Sequence, residues 1–238
     1  MSGLELKAGA RKHIAENAPR IFLIAVIYII CTTVISELQY RLPGTATALE
    51  QYLERVSDGE FGSLSMLYSN FRPSGAALAV VLWLMTPVID VGFMSYCLKL
   101  IRGQGGEYKD LLNGFLFFGK ILLITIITLI LTTLWSLLFI FPGIAAHYRY
   151  RQAYYILLDD PNKGVLQCIR ESGRLMAGHK LELFLLDISF LGWILVDILV
   201  VWLLPIPFSL PVIQIWLKPY MGLTRAGFYD KLIGSLVV

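Results

Sequence analysis

The 238-residue sequence contains few charged residues and long stretches without any. Asp, Glu, Lys and Arg together make up only 16% of it, whereas 57% is hydrophobic and the mean hydropathy is +0.68. A soluble domain of this size needs more charged side chains than this to cover its surface. The composition therefore excludes an ordinary soluble fold and indicates a protein whose surroundings are largely lipid.

The motifs of the common enzyme and cofactor-binding classes are also missing. The sequence has no HExxH zinc motif, no GxxxxGK phosphate loop, no GxSxG nucleophile turn, no GxGxxG dinucleotide fingerprint and no CxxC pair. Its three histidines lie far apart along the chain, so they form no helical pair of metal ligands. We therefore expect a protein that is not an enzyme, with no catalytic residue, no bound metal and no cofactor.

Cysteines and basic residues are too few or too scattered for two other classes. The three cysteines are an odd number, and Cys31 and Cys97 lie in apolar runs, so we expect no disulfide framework. The net charge of +3 is spread along the chain, without the dense basic face that nucleic acid requires. We expect membrane lipids as partners and no nucleic acid.

Long uncharged runs predict membrane crossings, because about 20 helical residues span a hydrocarbon core roughly 30 Å thick. The clearest run is 121–148, which contains no Asp, Glu, Lys or Arg. We expect the first run to be retained, since no small-x-small cleavage pattern follows it. The predicted fold is all-α, a polytopic transmembrane bundle in a single membrane domain, with about six crossings near residues 20–37, 74–98, 120–141, 143–158, 182–204 and 211–225.

The polar connections carry two predicted amphipathic helices. One lies within the outer loop 37–73, where apolar residues recur at helical spacing over 46–56. The other is a cytoplasmic interfacial helix over 162–179, which follows a turn at 159–162 and separates apolar from charged side chains. Prolines at three places are predicted to kink or break the helices: Pro87, Pro142 within Phe141-Pro142-Gly143, and the prolines of 205–211.

The segment 143–158 is the difficult one, because it contains Arg149 and Arg151. If it crosses, 14 Lys and Arg residues fall in the cytoplasmic pieces and only three in the outer pieces. If it lies on the outer surface instead, eight remain inside and about 11 fall outside. The positive-inside rule therefore favours the crossing and predicts that both termini are cytoplasmic.

Five charged residues are predicted to share one depth in the membrane. At 1.5 Å per residue, Arg151 and Arg149 lie about 12 and 15 Å from the cytoplasmic end of their segment, Asp90 about 13 Å from its end, and Asp187 and Lys218 about 10 Å from theirs. Lipid does not solvate such groups, so they should face the protein interior or a wet cavity.

This layer is the candidate ligand-binding site or intramembrane charge network. We hypothesise that one of the two arginines pairs with Asp90 or Asp187, which leaves net positive charge able to hold an anionic headgroup or solute. His147 and Tyr154 share the helical stripe of Arg151 and complete the candidate set. The alternative is that the charges only hold helices together or reach toward the interface.

Several sequence segments resemble the uncharacterised bacterial integral membrane family catalogued as domain of unknown function nine-seven-five. They are FPGIAAHYRYRQAYYILLDDP from residue 141, ESGRLMAGHK from 171, LFLLDISFLGW from 183 and KPYMGLTRAGFYDKL from 218. The resemblance covers nearly the whole chain and is weakest over 37–72. It implies a protein of the bacterial cytoplasmic membrane, distantly similar to the membrane domain attached to some glycerophosphodiester phosphodiesterases.

The resemblance brings no catalytic residues, and this chain departs from the expected pattern at two positions. His147 and Arg151 stand where a small or hydroxylated residue is expected, so a generic family role is not carried over to them. We expect a noncatalytic membrane protein that binds lipid, a small anion, a partner membrane protein or a second copy. The alternative is a transporter of small solutes or lipid that uses these predicted intramembrane charges, because proline-broken helices are typical of transporters. A lipid-modifying enzyme is disfavoured by the missing motifs.

Overall fold

The computed structural model describes residues 3–41, 73–203 and 212–235, and within these ranges all regular structure is helical, without a strand. The all-α prediction is thereby confirmed. The helix predicted over 46–56 and the prolines of 205–211 lie outside the described residues. The helices, numbered in chain order, are α1 (Gly3–Asn17), α2 (Arg20–Arg41), α3 (Pro73–Ile101), a 3-10 helix (Tyr108–Leu112), α4 (Asn113–Leu116), α5 (Phe118–Leu138), α6 (Ile140–Tyr150), α7 (Ala153–Asp159), α8 (Val165–Leu175), α9 (Lys180–Ile188), α10 (Leu191–Leu203) and α11 (Val212–Gly234).

Four helical stretches of the described chain are long and apolar enough to cross a membrane. The two other predicted crossings are built differently. The segment 143–158 is divided between α6 and α7, and α11 is long but carries Lys218 and Arg225 among its apolar residues. The four stretches are Arg20–Gln39, Ala77–Ile101, Phe118–Leu138 and Lys180–Val200.

The chain divides into two compact units, residues 30–87 and residues 1–29 with 88–238. In the smaller unit, the Gln39 side chain donates a hydrogen bond of 3.2 Å to the Ala79 carbonyl and so joins the end of α2 to the start of α3. Large apolar side chains such as Val34 and Val80 are exposed on these helices, as lipid-facing residues are. All residues of the candidate site belong to the larger unit.

In the larger unit, α1 packs on α11. Leu6, Ala10 and Ile14 follow each other at intervals of four residues and are buried, which is the spacing of one helix face. The Leu6 side chain lies against Gly227 of α11. Because this face of α1 is buried against α11, α1 is part of the core of the larger unit.

Helices α5 and α6 form a close hairpin around a single extended residue, Phe139, with φ −160° and ψ 153°. Gly143 of α6 lies so close to Ser136 of α5 that a Cβ would overlap it. The sequence predicts this break at Phe141-Pro142-Gly143, but the chain already turns at Phe139. Pro142 then falls in the first turn of α6, where its missing N–H costs no hydrogen bond.

Two glycines let α3 meet the connection that precedes α5. A Cβ on Gly92 would overlap the Leu111 carbonyl, and a Cβ on Gly114 would overlap the Val88 carbonyl. Two polar contacts hold the same contact region together, since Asn113 donates a hydrogen bond of 2.9 Å to Ser95 and Lys99 pairs with Asp110. The backbones therefore approach as closely as glycine allows.

Candidate functional site

The central contact of the candidate site is a carboxylate shared by two arginines. Asp187 lies in the last turn of α9, and its side chain is 12% exposed. Its Oδ2 accepts a hydrogen bond of 2.9 Å from Arg151 Nη1, and its Oδ1 accepts one of 3.0 Å from Arg225 Nε. Tyr148 donates a third hydrogen bond of 3.2 Å to Oδ2. One negative charge thus faces two positive ones, joining the α6–α7 connection, α9 and α11.

Aromatic and imidazole rings fix the direction of the Arg151 side chain. Its guanidinium carbon lies 5.7 Å from the ring centroid of Tyr148, within the range of a cation–π contact. Its Nη1 also lies 3.3 Å from His147 Nε2, one helical turn earlier. Tyr148 in turn packs edge-on against Phe184 at 5.7 Å. Arg151 is therefore held on the side of α6 that faces α9.

A second polar group surrounds Asp90 of α3. The Tyr28 hydroxyl donates a hydrogen bond of 2.6 Å to Asp90 Oδ1, and the Tyr28 ring stacks on Phe93 at 4.6 Å. Lys218 Nζ lies 5.6 Å from the centroid of the same Tyr28 ring. Lys218 makes no hydrogen bond or ion pair with any residue that the structure describes. It is a half-buried cation above an aromatic face, and Asp90 and Asp197 act on it electrostatically without a direct contact.

Helix α11 links the two groups. Lys218 and Arg225 are seven residues apart, which puts both on one face of α11 two turns from each other. Both act electrostatically on Asp90, while Arg225 also binds Asp187. We call Asp90, Arg151, Asp187, Lys218 and Arg225 the charged layer. With three bases and two acids its formal charge is +1.

Two of the residues in the predicted set lie at the edge of this layer or outside it. The Tyr154 hydroxyl is hydrogen-bonded to Thr125 at 2.9 Å and interacts electrostatically with Asp90. Arg149 is exposed; its side chain lies against Gly173 of α8 and over the Tyr150 ring at 5.8 Å. Asp90 has Tyr28 as its hydrogen-bond donor, not an arginine.

Sequence reasoning overlooked three residues of the site. Arg225 stands at the end of the last predicted crossing, 211–225, and its spacing of seven from Lys218 is a sequence signal that both share a face. Tyr148 is one of four tyrosines between residues 148 and 155, and its position in the sequence does not distinguish it from the others. Tyr28 gives no sequence signal beyond being a hydroxyl within an apolar run.

A second set of ion pairs lies where α3, α7 and α11 end. Arg102 donates two hydrogen bonds to Asp159, of 2.6 and 3.0 Å, and a third of 2.8 Å to Asp230. The bonds to Asp159 raise the pKa of Arg102. The Tyr229 hydroxyl donates a hydrogen bond of 2.8 Å to Asp159. Burial is the largest cause that raises the pKa of Tyr229, and the negative charge of Asp159 is the second. These contacts fasten three helix ends of the larger unit to one another.

Comparison with known proteins gives a match to a protein family over part of the chain. Residues 140–235 match the sequence model of a family described as Protein of unknown function (DUF975). No curated protein and no solved structure matches the chain. The matched region contains Arg151, Asp187, Lys218 and Arg225 but not Asp90. The part of the chain that contains Asp187 and its two arginines is thus similar to an uncharacterised protein family.

Proposed function

We propose that this chain is a noncatalytic, multi-pass protein of the bacterial cytoplasmic membrane that binds an anion at the charged layer. The anion is either the headgroup of a membrane lipid or a small solute. Four long apolar helices support the membrane assignment. In the proposed topology α6 with α7, and α11, supply two further crossings, both termini are cytoplasmic, and α8 lies at the cytoplasmic interface.

The excess positive charge of the layer carries this proposal. Asp187 is already bound by two arginines, and Asp90 is bound by a tyrosine hydroxyl. Lys218 is left without a carboxylate within 4 Å among the described residues. A cation inside a membrane costs about 2.5–3.5 kcal/mol on the translocon scale unless it is compensated. An anion near Lys218 and Arg225 would offset that cost and bring the layer to neutrality.

The pairing at Asp187 makes the layer a rigid binding surface rather than a set of mobile side chains. The side chains of its two arginines are 25% and 29% exposed, so neither is fully buried while it is held by the carboxylate. Arginine presents several N–H donors in a plane, so a guanidinium that binds Asp187 can still donate to a phosphate or carboxylate ligand.

Native mass spectrometry of the gently extracted full chain tests the proposal. We expect a retained anionic lipid or small anion in the wild type and its loss in Arg225→Gln. Arg149→Gln is the matched control, because it removes an equal charge from an exposed position outside the layer. If a folded Arg225→Gln variant retains the anionic lipid or small anion as well as the wild type does, that result would contradict anion binding at this site.

A transporter is the second candidate, and the positions of two helix breaks favour it. Arg151 lies where α6 ends before α7, and Asp187 lies in the last turn of α9 before the break that separates it from α10. Discontinuous helices that meet at charged groups are typical of transporter binding sites. Tracer uptake into liposomes that disappears in Arg225→Gln but persists in Arg149→Gln would favour transport over binding alone.

A further inference from the structure

A crevice separate from the charged layer lies where α7, α8 and the end of α11 meet. Its volume is about 530 Å³, within the range of roughly 300–1,000 Å³ that small-molecule sites occupy. Apolar side chains form part of its lining, among them Ile156, Leu175 and Ile233. The exposed Arg174 and Ala177 also line it, so the crevice is open at the protein surface.

The two carboxylates that line the crevice already accept hydrogen bonds from other residues of the chain. Asp159 accepts hydrogen bonds from Arg102 and from Tyr229. Glu171 accepts one of 2.7 Å from Lys163, and this contact lowers the pKa of Glu171. Because both acids have committed partners, neither is free to bind a cationic ligand.

Arg174 is the cation of the lining that no carboxylate binds directly, although it acts electrostatically on Glu171. Its guanidinium makes no hydrogen bond or ion pair within the part of the chain that the structure describes. The other imidazole or basic groups of the lining are occupied, since Lys163 binds Glu171 and His179 Nδ1 lies 3.3 Å from Glu182. A planar guanidinium with free donors beside an apolar wall is complementary to a phosphate ester attached to an apolar body.

We propose that this crevice binds an anionic phospholipid, with the phosphate on Arg174 and the glycerol and upper acyl region against Leu175 and Ile233. The site goes beyond the anion site of the charged layer, because the two share no residue. A lipid held here would rest on the face of α8 and α11 that the proposed topology puts at the cytoplasmic interface. The shared ligand chemistry is a phosphate ester, which a lipid or a soluble ester can supply.

Equilibrium binding to the full chain in phosphatidylcholine nanodiscs tests the inference. The three probes are short-chain phosphatidylglycerol, short-chain phosphatidylcholine and glycerol 3-phosphate. We expect phosphatidylglycerol to bind most tightly, and Arg174→Gln to weaken it about 10-fold, as the loss of a charge-assisted hydrogen bond does. Arg170→Gln, one turn earlier on α8 and outside the lining, should leave the affinity unchanged.

A second variant blocks the crevice without removing the arginine. Ala177→Trp adds a large ring at an exposed lining position, so it should abolish phosphatidylglycerol binding while the thermal midpoint is retained. Equal losses in Arg174→Gln and Arg170→Gln would overturn the inference, and so would glycerol 3-phosphate binding as tightly as the lipid. A loss in Arg225→Gln with none in Arg174→Gln would overturn it too, yet leave anion binding at the charged layer standing.

Discussion

Replacing Asp187 by Asn should destabilise the protein by removing the one negative charge between two arginines. The carboxylate accepts charge-assisted hydrogen bonds of 2.9 and 3.0 Å, each of which contributes about 1.5–3 kcal/mol when fully buried. Breaking a buried pair costs about 3–5 kcal/mol. The arginines are 25% and 29% exposed and Asn keeps one acceptor oxygen, so we expect a loss of about 2–3 kcal/mol.

Reversible unfolding in mixed lipid and detergent micelles measures this loss. Asp230→Asn is the control, because Asp230 is 38% exposed and its partner Arg102 keeps Asp159; we expect less than about 1 kcal/mol there. A double-mutant cycle with Arg225→Gln should give a coupling of about 1 kcal/mol or more. A loss no larger than that of Asp230→Asn, together with a coupling near zero, would refute the assignment of Asp187 as the centre of the layer.

Two further predictions concern packing and pH. Gly114→Ala should cost about 1–3 kcal/mol, because its Cβ would meet the Val88 carbonyl, which is backbone and cannot move aside; Gly119→Ala, with open space around it, should cost nothing, and thermal unfolding of both compares them. The Lys163 hydrogen bond lowers the pKa of Glu171, so the stability it adds is present above the unfolded-state pKa and is lost as pH falls through the folded-state pKa. The stability difference between wild type and Glu171→Gln should be below about 1 kcal/mol, because the pair is partly exposed. In pH-dependent unfolding this difference should disappear between about pH 6 and pH 3. A difference that persists at about pH 3 would contradict the stabilising role of the Lys163–Glu171 pair.

Hydropathy predicted the helical class and several of the long helices, because an uncharged run of 20 residues has few alternatives to a helix in lipid. The rise per residue likewise predicts one depth for Arg151 and Asp187, and in the structure a hydrogen bond of 2.9 Å joins them. At about 100° per residue, Arg149 and Arg151 lie on nearly opposite sides of a helix, and in the structure Arg149 lies against α8.

The remaining features depend on tertiary contacts that a single sequence does not encode locally. The hairpin turns at Phe139 rather than at Pro142, since proline is compatible with the first turn of α6 and the approach of Gly143 to Ser136 sets the position of the turn. Tyr28 donates a hydrogen bond to Asp90, which lies 62 residues later in the chain, and the sequence around neither residue predicts this contact. Residue spacing therefore predicts which charges share a depth, but not which of them touch.

The proposed crossing of the membrane by α6 and α7 determines whether the charged layer lies within the membrane. Arg170→Cys on the exposed face of α8, in a chain whose three native cysteines are replaced by Ala, can be probed with a membrane-impermeant maleimide. Ser57→Cys, in the predicted outer loop, is the positive control in intact cells. We predict that Arg170→Cys is labelled only after the membrane is opened, whereas labelling in intact cells at the level of Ser57→Cys would contradict the account.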